Sequence, residues 1–590
     1  MLKTWVNDNK KDLIFIVLCW FIISIVMFTR NWDSISNLNL KDNDDYMRYV
    51  QFTDWIKYGN WYLEPMARFN PEDGVIMHWS RVPDLLLAGT TLVLSSFFDI
   101  TTASLIAIGI VPLFYLLCFA LAVFALVDHY VGEKYRFIGM VFALGSHAIT
   151  KFFPGAIDHH NLQLIIVALF LSLTPINARQ TTESVRWFAQ GILISISLWI
   201  GLDNFFFFVF YLGTYSAYCL LYNNDWFKYF YKLCFISVFF SLIFIILNRP
   251  INEVFTIHYD SLSIPFVTCF LCGGILLFLL EKLIHNQQTY TYKLLIAISI
   301  SLVVFIPVMI IFPELAKGAY ADYPEVVKTY WLDNVSEAQS MYSLIMTNGF
   351  FSTENYFLFF IPSLLYIVLK NKKTHLNILY IIFTLNLFVA LFWQIRAITL
   401  CFVLSAPIQI YVLFEISEKV KNKLFSTLII SSGIPIFVLI YISILTPIIG
   451  NTTNNSDTQN NNDYTNNIES VFNESNISNR KVLSGIESGT KILSKTNNSI
   501  LAAPYHRNIN GNNLAINTFL ESDEDVIKDT LKNNNIDYIL INNDNHLKVL
   551  ARLTEDGALI KRLKSYDIPE YLELINAKNI DDYQLFKFKG

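Results

Sequence analysis

The chain has 590 residues, 54% hydrophobic and 15% charged, with a formal net charge of −5 and a mean hydropathy of +0.43. That hydropathy excludes a soluble globular domain, and with Lys and Arg confined to short loops no nucleic-acid partner is expected. The apolar residues run in blocks of about 18 or more, the length of a membrane-crossing helix.

In chain order, the first block, "LIFIVLCWFIISIVMF" (13–28), follows "MLKTWVNDNKK" and continues without a small-residue cleavage site. It reads as a retained helix rather than a cleaved signal peptide. Apolar spans are then predicted at 13–29, 103–127, 137–153, 161–176, 189–203, 204–222, 233–248, 264–280, 294–312, 353–369, 376–392, 397–415 and 425–447, about thirteen in all. Short loops rich in Lys and Arg stay in the cytoplasm. "NDNKK", "GEKYR" (132–136), "NARQTTESVR" (177–186), "FKYFYK" (227–232), "KNKK" (370–373) and "EKVKNK" (418–423) all fall on one side of such a pattern. The other side receives the first loop (30–102), the "PGAIDHH" turn, the loops 249–263 and 313–352, and the tail. All seven cysteines lie in apolar segments and read as small packing residues, not disulfides or metal ligands.

The first loop holds "KDNDDYMRYVQFTDWIKYGNWY" (41–62), whose spacing predicts an amphipathic helix at the membrane surface. One N-cap accounts for one of its leading acids, which leaves Asp44 or Asp45 for another role. "NPEDGVIMHWSRVPD" (70–84) follows, with His78, Trp79 and Arg81 as a possible substrate loop. In "GAIDHHNLQL" (155–164), Asp158 and His160 form an i, i+2 pair able to put an oxygen and a nitrogen on one ion, while His159 reads as a bystander. Mixed carboxylate and imidazole donors suit Mn²⁺ better than the all-oxygen sites of Mg²⁺. "WLDNVSEAQS" (331–340) supplies Glu337. Arg396, in "FWQIRAITL" (392–400), interrupts apolar sequence at an outer helix end. A charge buried in the membrane costs about 2.5–3.5 kcal/mol on insertion scales, and a lipid phosphate would relieve that cost. The Asn-rich stretch 451–479 reads as a flexible linker. Beyond it, 499–507, 536–542 and 583–589 predict strands, and 523–534 and 545–553 predict helices, of a small α/β domain spanning 480–590.

Taken together, these segments resemble the GT-C superfamily of polyprenyl-phosphate-dependent glycosyltransferases, most closely the oligosaccharyltransferase catalytic subunits. "NDDYMRYVQFTDW" resembles the segment carrying the catalytic Asp, with Asp44 the better match and Asp45 adjacent. "DHH" (158–160) matches the D-x-D or D-x-H motif and "NVSE" (334–337) the S-x-x-E motif; the Arg opening a late helix is similar in "IRAITLCFVLSAP" (395–407). The resemblance implies a polytopic helical membrane region over 1–450, about thirteen helices, and a C-terminal domain on the periplasmic face of a bacterial inner membrane. It implies transfer, with inversion, from a polyprenyl-linked sugar donor to a protein, lipid or glycan acceptor. By it, Asp44, Asp158, His160 and Glu337 would hold Mn²⁺ or Mg²⁺, and Arg396 the donor phosphate. Asp44 or Asp45, with Glu337, would be catalytic. The family's W-W-D-Y-G motif is absent, and "LAAPYHRN" (501–508) stands early in the tail instead. A transferase of single sugars to lipid or polysaccharide, or a polyprenyl-lipid transporter, are the competing readings. A transporter would place its polar groups at mid-membrane in broken helices rather than in external loops.

Overall fold

The computed structural model describes residues 2–284, 288–317, 323–348, 357–369, 372–432, 467–575 and 583–590. Among the described residues, seven helices are long and apolar enough to cross a membrane: Lys10–Ser36, Ile100–Tyr130, Asn224–Asn248, Ile264–Leu283, Tyr290–Ile311, Thr374–Phe392 and Ile395–Ser417. Shorter apolar helices, among them His160–Ser172, Ser184–Ile200 and Phe205–Leu221, pack between them. Outward-facing side chains such as Phe15, Leu18, Phe21 and Ile22 on the first helix stay exposed, as lipid contact requires. The chain is a multi-pass membrane protein.

Three expectations change. The span at 137–153 is broken into a nine-residue helix, Arg136–Leu144, and a 3₁₀ turn, His147–Phe152. The break falls at Gly145 and at Ser146, whose hydroxyl caps the new turn through the Ala148 amide. Val82–Leu94, placed in a loop by the sequence, is an apolar helix opened by Pro83. The Asn43–Tyr58 helix is not a surface helix, because Asp45 through Phe52 are all buried. A second body covers the face that was expected to meet lipid headgroups. The last expected span is described only over Lys423–Ser432, and 433–466 lie outside the described residues.

The second body is the C-terminal domain. Its sheet comprises β1 (Lys481–Ser484), β2 (Ser499–Ile500), β3 (Tyr538–Ile541), β4 (Leu572–Ile575) and β5 (Gln584–Phe588), in the order β2-β1-β3-β5-β4. The first three are parallel, while β5 runs antiparallel to β3 and β4. Helix Asn467–Glu474 buries Ile468, Val471 and Phe472 against Val482 and Ile492, so packed structure begins ahead of residue 480. The strand expected over 499–507 is only two residues long. Beyond Ile500 the chain turns away to approach the membrane region.

The two bodies share cores. Met47, Val50, Phe69, Met77 and Trp79 of the first loop cluster with Val482, Ile500 and Tyr505. The main chain of 68–70 adds an edge to the sheet: Ile500 N–H donates to the Arg68 carbonyl (2.9 Å), and Asn70 N–H donates to the Ile500 carbonyl (2.7 Å). Val327 and Trp331 are buried with Leu483, Leu547 and Phe519, so 323–335 packs as part of the C-terminal domain. The carboxyl ends of β1 and β2 face the start of the Asn43–Tyr58 helix. Thr490, after β1, hydrogen-bonds the Asn43 side chain (2.6 Å), and Tyr505, after β2, reaches Asp44. Parallel sheets present their binding crevice at that end.

Candidate active site

The acids of the first loop separate into distinct tasks. Asp42 is the N-cap of the Asn43–Tyr58 helix and accepts from the Asp44 amide (3.4 Å). Asp45 accepts from the amides of Ile157 (2.8 Å) and Asp158 (3.0 Å), and so ties the "AIDHH" turn to the helix. Gly155, at φ +88°, supplies the left-handed residue that this turn needs. Asp44 is left facing the site. Burial, with the charges of Asp158, Asp42 and Glu337, pushes its carboxyl well above the usual range.

Asp158 is buried beside three cations or potential cations. Its Oδ1 receives His159 Nδ1 (2.6 Å) and lies 3.6 Å from the Arg48 guanidinium. His159 is no bystander: its Nε2 reaches Asp203 (2.9 Å), so both ring nitrogens meet carboxylates. Burial opposes its charge, but Asp158 and Asp203 prevail and raise the imidazolium to about 10. The same pairing holds Asp158 well below the carboxylate range despite its burial. Arg48 is fully buried, bonds Asp84 (3.2 Å) and stacks on Trp79 (4.3 Å to the ring centre).

Glu337 lies in a 3₁₀ turn, Ser336–Ala338, and is exposed. Desolvation by the nearby protein, with the Asp42 and Asp158 charges, raises its pKa, against Lys151 and Arg396. Lys151 faces the carboxylates of Glu337, Asp42, Asp158 and Asp45, which together raise its pKa against the cost of burial. Arg396 is exposed, with Nε donating to Gln394 (2.8 Å), and the neighbouring Ile395 amide donates to the Gln339 carbonyl (2.8 Å). The Glu337 and Arg396 turns are therefore pinned to each other.

The residues of 78–81 are placed differently from a substrate loop. Trp79 and Arg81 are buried, and Arg81 bonds Asp84 (3.4 Å) and the carbonyls of Gln51, Asn60 and Trp61, closing the loop on itself. The His78 ring packs on His506 (4.4 Å between centres), and burial holds it neutral.

Asp203, Arg48, Lys151 and Tyr505 were not singled out from the sequence. Asp203 had a signal, an acid in a short turn between apolar runs on the outer side. Arg48 and Tyr505 had none, since the Arg48 partners Ser80, Asp84 and Asp158 are distant in the chain, and the Tyr505 partners Asn43 and Asp44 lie more than 460 positions away.

Asp158 and His160 could hold a divalent cation. Asp158 Oδ2 is buried without a hydrogen-bond partner among the described residues, and His160 Nε2 lies 3.2 Å from it. Asp44 and Glu337 feel the Asp158 charge, but neither joins the Asp158 and His160 donors within 4.8 Å among the described residues. Asp158, His159 and His160 each offer a donor atom within 4.8 Å of the others, but both His159 nitrogens are committed. A second group, His78, Asp260 and His506, has the same spacing and a different chemistry. Both Asp260 oxygens are taken by Arg507 (2.6 and 2.8 Å), a cation that disfavours a metal there.

The sequence matches no protein-family model and no curated protein. By structure, the chain is similar to the archaeal oligosaccharyltransferase AglB from Archaeoglobus fulgidus in complex with an inhibitory peptide and a dolichol-phosphate. The identity is 15%, over 97% of this chain and 73% of that one, with a TM-score of 0.68. The apo form of the A. fulgidus enzyme is 15% identical over 93% and 72%, at 0.65. Its complex with Zn and sulfate is 14% identical over 92% and 70%, at 0.59. The chain thus shares the fold of the A. fulgidus oligosaccharyltransferase structures.

Proposed function

We propose that the protein is a membrane glycosyltransferase that moves a sugar or glycan, with inversion, from a polyprenyl phosphate or diphosphate to an acceptor. The site would lie on the periplasmic face of a bacterial inner membrane. What supports this reading is that Asp158 and His160 lie 3.2 Å apart and that Asp44 and Glu337, from distant loops, are close enough to feel the Asp158 charge, with Lys151 and Arg396 acting on Glu337. The dolichol-phosphate in the A. fulgidus complex supports a polyprenyl carrier, and the zinc complex supports a cation.

The bond from the anomeric carbon to the phosphate oxygen breaks, and its electron pair leaves with the phosphate. The acceptor nucleophile forms the new bond to that carbon and gives up its proton to Asp44. Arg396, exposed at the mouth, binds the phosphate before and after cleavage. His159 and Arg48 hold Asp158 ionised and oriented. A divalent cation, Mn²⁺ or Mg²⁺, held by Asp44, Asp158, His160 and Glu337, would supply charge neutralisation for the acids and the departing phosphate. The absence of W-W-D-Y-G favours an acceptor other than an N-x-S/T peptide, and transfer of single sugars to lipid or polysaccharide would use the same groups.

Mass spectrometry of envelope glycoproteins and glycolipids tests this in a deletion strain complemented with wild type, D44A, D158A or E337A. A glycan should vanish on deletion and return only with wild type. Restoration by all three variants would sink the proposal.

A further inference from the structure

We propose that Tyr505 is a positioning residue of this site, through which the C-terminal domain sets the Asp44 carboxylate; this rests on the function proposed above. The Tyr505 hydroxyl lies 3.0 Å from Asp44 Oδ1 and 3.1 Å from the Asn43 carbonyl oxygen. A phenol has one proton to give and lone pairs to accept. With Asp44 ionised, that proton points at Oδ1. With Asp44 protonated, the acid donates to the phenol and the phenol donates to the Asn43 carbonyl. Either way Oδ1 is held in place, and the second oxygen is left for substrate or cation.

The ring and the main chain around it are fixed. Tyr505 is buried, edge-on to Trp79 (5.6 Å) and Phe69 (6.1 Å), and Trp79 carries the Arg48 guanidinium that approaches Asp158. Ahead of it, the Ala503 amide donates to Asn512 Oδ1 (3.2 Å), and Asn512 Nδ2 donates back to the Tyr505 carbonyl (3.2 Å). Behind it, His506 and Arg507 clamp Asp260 of the 249–263 loop, and Arg507 also donates to the carbonyls of Ile76 and Met77. Asn70 Nδ2 donates to Asn508 Oδ1 (2.9 Å). A phenylalanine would fill the same space against Trp79 and Phe69. The hydroxyl on the acid is the part that packing leaves unexplained.

The test uses the full-length protein in membranes and in detergent, comparing wild type with Y505F, D44N and D158N. Transfer is read as turnover of the host's own radiolabelled polyprenyl-linked sugar pool. Mn²⁺ binding is read as loss of the free-ion electron paramagnetic resonance signal. Y505F should unfold with wild type and lose about ten- to hundredfold in kcat at unchanged KM, or in Mn²⁺ affinity, the range typical of groups that orient metal ligands. A fall in either supports the assignment. Wild-type values for both in Y505F, beside an impaired D44N, overturn the Tyr505 assignment alone. Wild-type transfer in D44N and D158N overturns the function beneath it. If Y505F misfolds, 3-fluorotyrosine at 505 nearly keeps the shape and, still protonated near neutral pH, strengthens the donor. It should lower kcat by weakening Asp44 as a base, and an unchanged kcat overturns the assignment.

Discussion

The Asp45 carboxylate accepts both the Ile157 and the Asp158 amide, so the acid beside Asp44 holds the turn that presents Asp158. Asp45→Ala should therefore impair transfer indirectly. The two buried amides lose their acceptor, at roughly 1–3 kcal/mol each before water enters. Thermal unfolding of D45A should fall clearly below wild type, whereas D44A, which frees no main-chain amide, should unfold near it. Equal unfolding of the two variants would remove the distinction.

Asp203 acts through His159. Asp203→Ala removes one of the two carboxylates that keep the imidazolium charged and in place. Transfer should drop about ten- to hundredfold. A D203A enzyme of wild-type rate would show that Asp158 needs no such support.

Arg48 is a stability hinge as well as a neighbour of the site. Arg48→Met leaves Asp84 buried with Arg81 as its remaining cation and deprives Asp158 of a counter-charge. Removing one member of a buried ion pair typically costs about 3–5 kcal/mol. R48M should show a large loss of midpoint in detergent unfolding, and a shift no larger than that of a surface control would contradict the buried network.

Gly489 packs where no side chain fits. A Cβ there would run into the Ala502 carbonyl oxygen, in the strand exit that leads to Tyr505. Gly489→Ala should destabilise the C-terminal domain by about 1–3 kcal/mol and shift Tyr505. Protease digestion of G489A should release that domain sooner than from wild type.

Docking of the C-terminal domain should weaken in mild acid. Burial lowers the His258 imidazole to about 4, aided by Arg249 and Arg507 and opposed by Asp260. The unfolded chain takes up the proton first, near 6.5, so this contribution is complete above that pH and fades as pH falls toward 4. Asp260, held below the usual carboxylate range by Arg507 and His506 against its burial, stays charged throughout that window. Unfolding midpoints should fall between about pH 7.5 and about pH 5, and less steeply in H258Q. Identical slopes in the two proteins would exclude His258.

Much of this arrangement is legible in the amino-acid order, for a physical reason. Asp44, Asp158 and Glu337 each stand in polar stretches flanked by apolar runs, and charge alternation between loops assigns them to one side. The C-terminal helices 524–533 and 545–553 are amphipathic at 3.6-residue spacing and fall where that spacing puts them. The remainder depends on contacts between distant residues. The Asn43–Tyr58 helix looks amphipathic because only one of its coverings is written nearby. The i, i+2 logic set His159 aside, although the turn brings both histidine rings to the same carboxylate.

The packing of Val327 and Trp331 into the C-terminal core has an evolutionary corollary. The heritable module is discontinuous: 323–335 forms one folded object with 467–575 and 583–590, and the helices Thr374–Phe392 and Ile395–Ser417 are encoded between them. A graft of the tail alone would leave Trp331 without its seat and Glu337 on a loose tether. Recombination between relatives would keep that core intact only when both stretches travel together.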